Sequence, residues 1–236
     1  MQTKSYVSAV EREGVDEGLR SFMLKVYNFM AAGLCVTAFA AWAVVNTPLY
    51  NLFFNQTGLT GLGWVVFLAP LFMVFFFNRI VVNGTVGQVQ AMFWGFSALM
   101  GASLAPVMLM YTASSMTRVF LITAGTFGAM SLWGYTTKRE LTSMGSFMIM
   151  GLWGVIIASI VNIFLKSPAM YYVLSYISVV IFVGLTAYDT QKIRSIYMAS
   201  DNEDVLTRKA VSGALELYLD FINLFLSLLR IMGNRR

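Results

Sequence analysis

Seven runs of mostly apolar residues, separated by short polar stretches, dominate the sequence: residues 26–45, 63–77, 89–111, 118–133, 146–165, 171–189 and 211–233. A helix that crosses a hydrocarbon core of roughly 30 Å needs about 20 such residues, so the runs have the length of membrane crossings, the second being the shortest. Over the 236 residues, 58% are hydrophobic and 11% charged, with a mean hydropathy of +0.71. A water-soluble fold of this length cannot hide that much apolar surface. The runs lack the strict alternation of barrel strands, and a spanning backbone must satisfy its own hydrogen bonds, so helices are predicted and no sheet is expected. The predicted fold class is an all-α membrane protein, a seven-transmembrane helical bundle. Residues 1–24 form its N-terminal tail, 25–233 the transmembrane domain and 234–236 the C-terminal tail.

The side-chain inventory removes several chemistries. The chain has no histidine, which excludes His-ligated zinc, a Ser-His-Asp triad and an imidazole pH switch. Its one cysteine, Cys35, lies in the first apolar run and leaves neither an intrachain disulfide nor a thiolate cluster. The sixteen methionines scatter without a repeating ladder, and helix packing is the expected use of them. The mixed-charge N-terminus does not resemble a basic stub before a short cleavable core, so the first helix is expected to be the insertion signal. The net charge of +5 forms no basic stripe with interleaved aromatics, and no nucleic-acid partner is expected.

Orientation follows from the loops, because basic residues accumulate on the cytoplasmic side. With the N-terminus inside, Lys4, Arg12, Arg20, Lys25, Arg79, Lys138, Arg139, Lys192, Arg194, Arg208 and Lys209 fall on that side. Arg118, Lys166, Arg230, Arg235 and Arg236 fall opposite. The basic C-terminus is the discordant element, and a re-entrant last segment would also accommodate it. Seven crossings remain the preferred count, since the last run is long enough to span.

Three acidic residues do not belong to loops. Asp189, Glu216 and Asp220 lie in or beside the last two apolar runs, where an ionised carboxylate costs at least a few kcal/mol. Asp189 and Asp220 are mirror positions about residues 204–205, so a helical hairpin turning in the polar stretch 200–204 brings them to one depth. Glu216 and Asp220 share a helix face at i and i+4, with Asn223 nearby. Two carboxylates meeting in a low-dielectric setting are expected to share a proton, and their oxygens suit a hard cation such as Ca²⁺. Two readings stand side by side: a proton-gated ion site, or structural pairing of Asp189 with Lys192 or Arg79. Arg79, alone at its helix end, is also read as an interfacial anchor.

Three stretches then resemble one family. They are Phe182-Val183-Gly184-Leu185-Thr186-Ala187-Tyr188-Asp189-Thr190-Gln191-Lys192-Ile193, Ala214-Leu215-Glu216-Leu217-Tyr218-Leu219-Asp220-Phe221-Ile222-Asn223-Leu224-Phe225 and Ser131-Leu132-Trp133-Gly134-Tyr135-Thr136-Thr137-Lys138-Arg139-Glu140-Leu141. In order and spacing they are similar to the signatures of the Bax inhibitor-1 family. The resemblance implies seven helices with the last one central, and a pH-responsive calcium leak with Asp189 and Asp220 as sensor and ion site. Glu216, Asn223, Arg79 and Lys192 become accessory candidates. The second run, residues 62–77, holds no acidic residue that could latch onto Arg79. Residues 16–20 and 25–28 resemble bacterial members, which implies the bacterial cytoplasmic (inner) membrane. The family is also associated with modulation of a membrane-bound ATP-dependent protease, for which the mixed-charge segment 11–20 is the candidate contact. No enzymatic activity and no resident cofactor are expected: Asp220 lacks the Gly-x-Gly-Asp context of an intramembrane aspartyl protease, and Ca²⁺ and protons would be cargo and signal.

Overall fold

The computed structural model describes residues 2–55 and 58–236, with side chains described from Glu17 onward apart from residues 56–57. It is built almost wholly of helices: α1 (Gln2–Asn46), α2 (Leu49–Phe53), α3 (Gly61–Asn83), α4 (Val86–Met110), α5 (Ala113–Thr136), α6 (Thr142–Leu165), α7 (Pro168–Ser195) and α8 (Glu203–Met232). Each predicted run coincides with one of the seven long helices, the third and seventh runs reaching one residue beyond their helices, to the C-caps Tyr111 and Gly233. The second is longer than its apolar core suggested, because α3 continues for two turns past Phe77 and carries Arg79 within it. The expectation of no sheet is corrected by a minimal ladder in which Phe54–Asn55 pairs antiparallel with Gly58–Leu59. α1 also runs back through the stretch assigned to the tail as one continuous helix.

Polar residues at the linkers set the helix boundaries. Thr60, Thr85, Thr112, Ser167 and Asn202 cap α3, α4, α5, α7 and α8 by accepting from an orphan backbone N–H in the first turn. Gln88 completes a capping box with Thr85. The α6–α7 turn has only two residues between its helices. Lys166 adopts a left-handed conformation at φ 51°, the Asn162 side chain accepts from Ser167 N, and Pro168 supplies a helix-ready first residue.

The long helices alternate in direction, so one end of the bundle gathers the α7–α8, α5–α6 and α3–α4 connections. α1 from Glu17, α3, α4, α6 and α7 are long and apolar enough to cross a membrane by length and composition. α5 and α8 are as long but more polar. α8 carries Arg208, Lys209, Glu216 and Asp220, and it can do so because its side chains meet protein: it packs against α7, α1, α5, α4 and α3. Its buried stripe includes Val211, Leu217, Tyr218, Phe221 and Leu224. α6 is the opposite case, burying only Gly145 and leaving residues such as Phe147, Trp153 and Phe164 exposed. At the far end the C-terminal segment docks on the α4–α5 connection, with Thr112 N donating to Asn234 O and Arg236 N to Met110 O. α8 therefore runs uninterrupted from one end of the bundle to the other, about 45 Å at 1.5 Å per residue.

Two glycines permit close backbone approaches between long helices. A Cβ on Gly134 would lie 2.2 Å from the Ala187 carbonyl oxygen, and one on Gly101 would lie 2.3 Å from that of Thr37. Helix–helix association inside a bilayer relies on such small residues, since apolar burial offers little there. Glycine to alanine in a helix normally gains roughly 0.5–1 kcal/mol. At Gly134 the sign reverses: Gly134→Ala is expected to lose about 1–3 kcal/mol by overpacking α5 on α7, measured as a lower thermal midpoint in detergent.

Candidate functional site

The hairpin of α7 and α8 brings Asp189 and Asp220 together. Their carboxyl groups lie within hydrogen-bonding reach of each other. Asp220 is only 4% exposed, and its Oδ2 has no hydrogen-bond partner. Asp189 is half-buried. Ionised carboxylates only accept hydrogen bonds, so contact between these two implies a proton held between them.

The register that joins them matches a pivot near residues 204–205, although the connection itself lies earlier, at residues 196–202. Lys209 explains the offset. Its ammonium donates to Ile196 O at 2.9 Å and to Asp201 Oδ2 at 2.6 Å, folding the connection back along the first turns of α8. Lys25 of α1 holds the start of the same helix, donating to Glu203 Oε1 at 2.5 Å and Thr207 Oγ1 at 2.7 Å. That hydrogen bond and the Lys25 charge hold the exposed Glu203 carboxyl below the usual carboxylate range.

Lys192 pairs with Glu216, Nζ to Oε2 at 2.9 Å, rather than with Asp189. The two side chains are 45% and 35% exposed, so they sit at the rim. Asp189 nevertheless feels both charges, with Glu216 and Lys192 acting in opposite senses beside it. Arg79 is exposed and makes no ion pair among the described residues, so the pairing of Asp189 with Arg79 is not found. Asn223 does not turn to the acidic pair either: its Nδ2 donates to Leu219 O at 2.8 Å on its own helix. The side chains of residues 11–16, part of the segment considered for partner binding, lie outside the described residues.

Around the pair, three features carry no strong sequence signal. Arg208 Nη1 donates to the carbonyls of Val81, Val82 and Gly84, closing the C-terminus of α3 from α8. Gln191 bridges the α5–α6 connection, with Nε2 donating to Arg139 O and Oε1 accepting from Leu141 N, both close to 2.9 Å. Hydroxyls join helices in the interior. Tyr27, Ser131 and Thr190 link α1, α5 and α7 at 2.6 and 2.9 Å, and Thr37 meets Tyr218 at 2.6 Å while donating to Ser97 O at 2.8 Å. Hydroxyls inside apolar runs were the available sign of these links, but the pattern alone does not say which helix each one faces. Among the described residues no three His, Cys, Asp or Glu side chains group closely enough to enclose a metal ion, so Glu216 does not complete a carboxylate ring with the aspartates.

A helical bundle with an apolar exterior, in which a deeply buried carboxyl faces another, defines a polytopic membrane protein with a titratable pair in its interior. Comparison with known proteins places it further. Residues 19–236 match the family model described as Inhibitor of apoptosis-promoting Bax1, and the chain belongs to the Bax inhibitor-1 family. It is 46% identical over 235 residues to an uncharacterized protein of Rickettsia prowazekii (strain Madrid E), covering 99% of this chain and 98% of that one. It is 45% identical over 223 residues to the inner membrane protein YbhL of Escherichia coli (strain K12), covering 93% and 94%. An uncharacterized membrane protein of Streptococcus pyogenes serotype M1 is 37% identical over 218 residues, covering 92% and 94%.

Asp220→Asn keeps the shape and can donate to Asp189, whereas Asp220→Ala leaves Asp189 without its partner. The alanine variant is expected to lose about 1–3 kcal/mol relative to the asparagine variant, measured by thermal unfolding in detergent at neutral pH.

Proposed function

We propose that this chain is a bacterial inner-membrane protein of seven crossings, with its N-terminus in the cytoplasm and α8 as the central helix. In this reading it leaks a hard cation such as Ca²⁺ under the control of the Asp189–Asp220 pair. The location is supported by the name of the Escherichia coli relative and by the apolar helices. The orientation is supported by the basic residues gathered at the end where α7 meets α8.

The observation that carries the functional reading is the Asp220 carboxyl, buried beside Asp189 with one oxygen lacking any donor. With one proton between them the pair holds a single negative charge and ties α7 to α8. Loss of that proton leaves two anions in a poorly polarisable interior, which repel each other and attract a cation. Ca²⁺ takes six to eight oxygens, and two carboxylates supply only some of them. The remainder would come from water or backbone carbonyls, an arrangement suited to passage rather than retention. The Lys192–Glu216 pair contributes no net charge at the rim.

The pH dependence follows from the shared proton: Ca²⁺ flux is expected to rise from about pH 6 to pH 8, the range open to an interacting buried pair. The measurement is Ca²⁺ entry into liposomes holding the purified protein, with Asp189→Asn and Asp220→Asn alongside. Each variant is expected to flatten the pH response. Identical flux and pH response in both variants would remove the pair from the mechanism.

A further inference from the structure

A groove of about 470 Å³ runs between α1 and α5, within the size range of small-ligand pockets. Two matched helical stripes line it. Arg20, Met23 and Tyr27 come from α1, and Gly128, Ser131 and Tyr135 from α5, each stripe advancing by one or two turns. From Arg20 to Tyr27 it extends seven residues, roughly 10 Å along the helix axis. α1 and α5 run antiparallel, so Arg20 and Tyr135 lie together at the end that carries the α7–α8 connection, and Gly128 lies deeper. The exposed Leu24 and Leu132 at the groove edges place its opening toward the surrounding acyl chains.

Three features distinguish this groove from an incidental gap. First, Arg20 is exposed and makes no ion pair among the described residues, and no acidic side chain lines the groove. Arg194 adds a second guanidinium at the mouth, 5.3 Å from the Tyr135 ring centre and bonded to the Tyr135 carbonyl. Among the described residues the exposed Glu17, one turn before Arg20, is the nearby acid on α1 and is not part of the lining; the side chain of Asp16 lies outside the described residues. Second, a Cβ on Gly128 would meet nothing within 4 Å, so no packing contact requires glycine in the middle of this helix. Third, the groove floor is finished: Ser131 bonds both Tyr27 and Thr190, presenting a satisfied surface rather than a polar hole.

We propose that this groove is a binding site for one anionic phospholipid, with an acyl chain along Gly128 and Met23 and the phosphate held by Arg20 at the mouth. Basic pockets between transmembrane helices on one face of a membrane recognise acidic headgroups in this way. The chemistry favours a lipid over a soluble anion, since the cationic mouth continues into an apolar channel facing the bilayer.

The test uses the purified full-length protein in detergent, given equal amounts of phosphatidylglycerol and phosphatidylcholine and examined by native mass spectrometry. The wild type is expected to retain phosphatidylglycerol about fivefold over phosphatidylcholine. Arg20→Gln is expected to abolish that preference and Arg20→Lys to keep it. Gly128→Leu, which fills the groove, is expected to reduce retention of both lipids while the thermal midpoint stays within a few degrees. Equal retention of the two lipids by the wild type, or an undiminished preference in Arg20→Gln, overturns the proposal. Displacement of the bound lipid by glycerol phosphate also overturns it, by assigning the mouth to a soluble anion. Arg20 lies on the surface, so its variants decide the matter even where Gly128→Leu folds poorly.

Discussion

A bilayer interior offers no hydrogen-bond partners, and each polar group that enters it must bring its own. The fold follows that constraint nearly everywhere. Ser97, Thr123, Ser178, Thr186 and Ser227 turn their hydroxyls back onto carbonyls one turn earlier in their own helices. Ser131 reaches across to neighbouring helices instead, and Thr37 does so while also meeting Gly33 O one turn earlier, converting an obligation into links between helices. Charged groups gather at the bundle ends, where water or helix-terminal carbonyls meet them. Arg208 is the fullest case, since the carbonyls it satisfies at the end of α3 have no helical N–H to accept from.

Against that background Asp220 stands out for a physical reason. Its second oxygen is buried without a donor, and its neighbour is another acid. Such an arrangement is poor as a structural brace, because an ion pair or a hydroxyl would hold the helices at less cost. Lys192, a cation close enough to act on it, is paired with Glu216 instead. Packing around the pair is firm, with Gly134 letting α5 come against Ala187, two residues before Asp189.

Much of this was legible in the chain itself. Apolar run length located all seven long helices, and the mirror spacing of Asp189 and Asp220 anticipated their meeting. α3 was underestimated because Asn78 and Arg79 interrupt its apolar run, yet a helix end at an interface tolerates both. Lys192 looked like a partner for Asp189 at i+3 on one helix, but the facing helix offered Glu216, and tertiary position prevailed over sequence proximity. Arg208 gave no sign of its role: in a polar loop sequence nothing distinguishes a guanidinium that faces solvent from one that closes another helix. The hydroxyl links were similarly hidden, since they depend on rotation of each helix about its axis, and the weak amphipathicity of a lipid-facing helix does not specify it.

The position of α8 in the chain order has a bearing on how the bundle is assembled. The helix that touches α1, α3, α4, α5 and α7 is synthesised after all of them. The inward faces of α1, α4 and α7, including Thr37, Phe93, Phe96 and Asp189, are covered only once α8 packs against them. Its own charges, Arg208, Lys209, Glu216 and Asp220, make α8 a poor helix by itself for an apolar solvent, and its neighbours supply the contacts that offset them. The acidic pair comes into existence only when α8 docks on α7, so the charge site is a product of assembly and of neither helix alone.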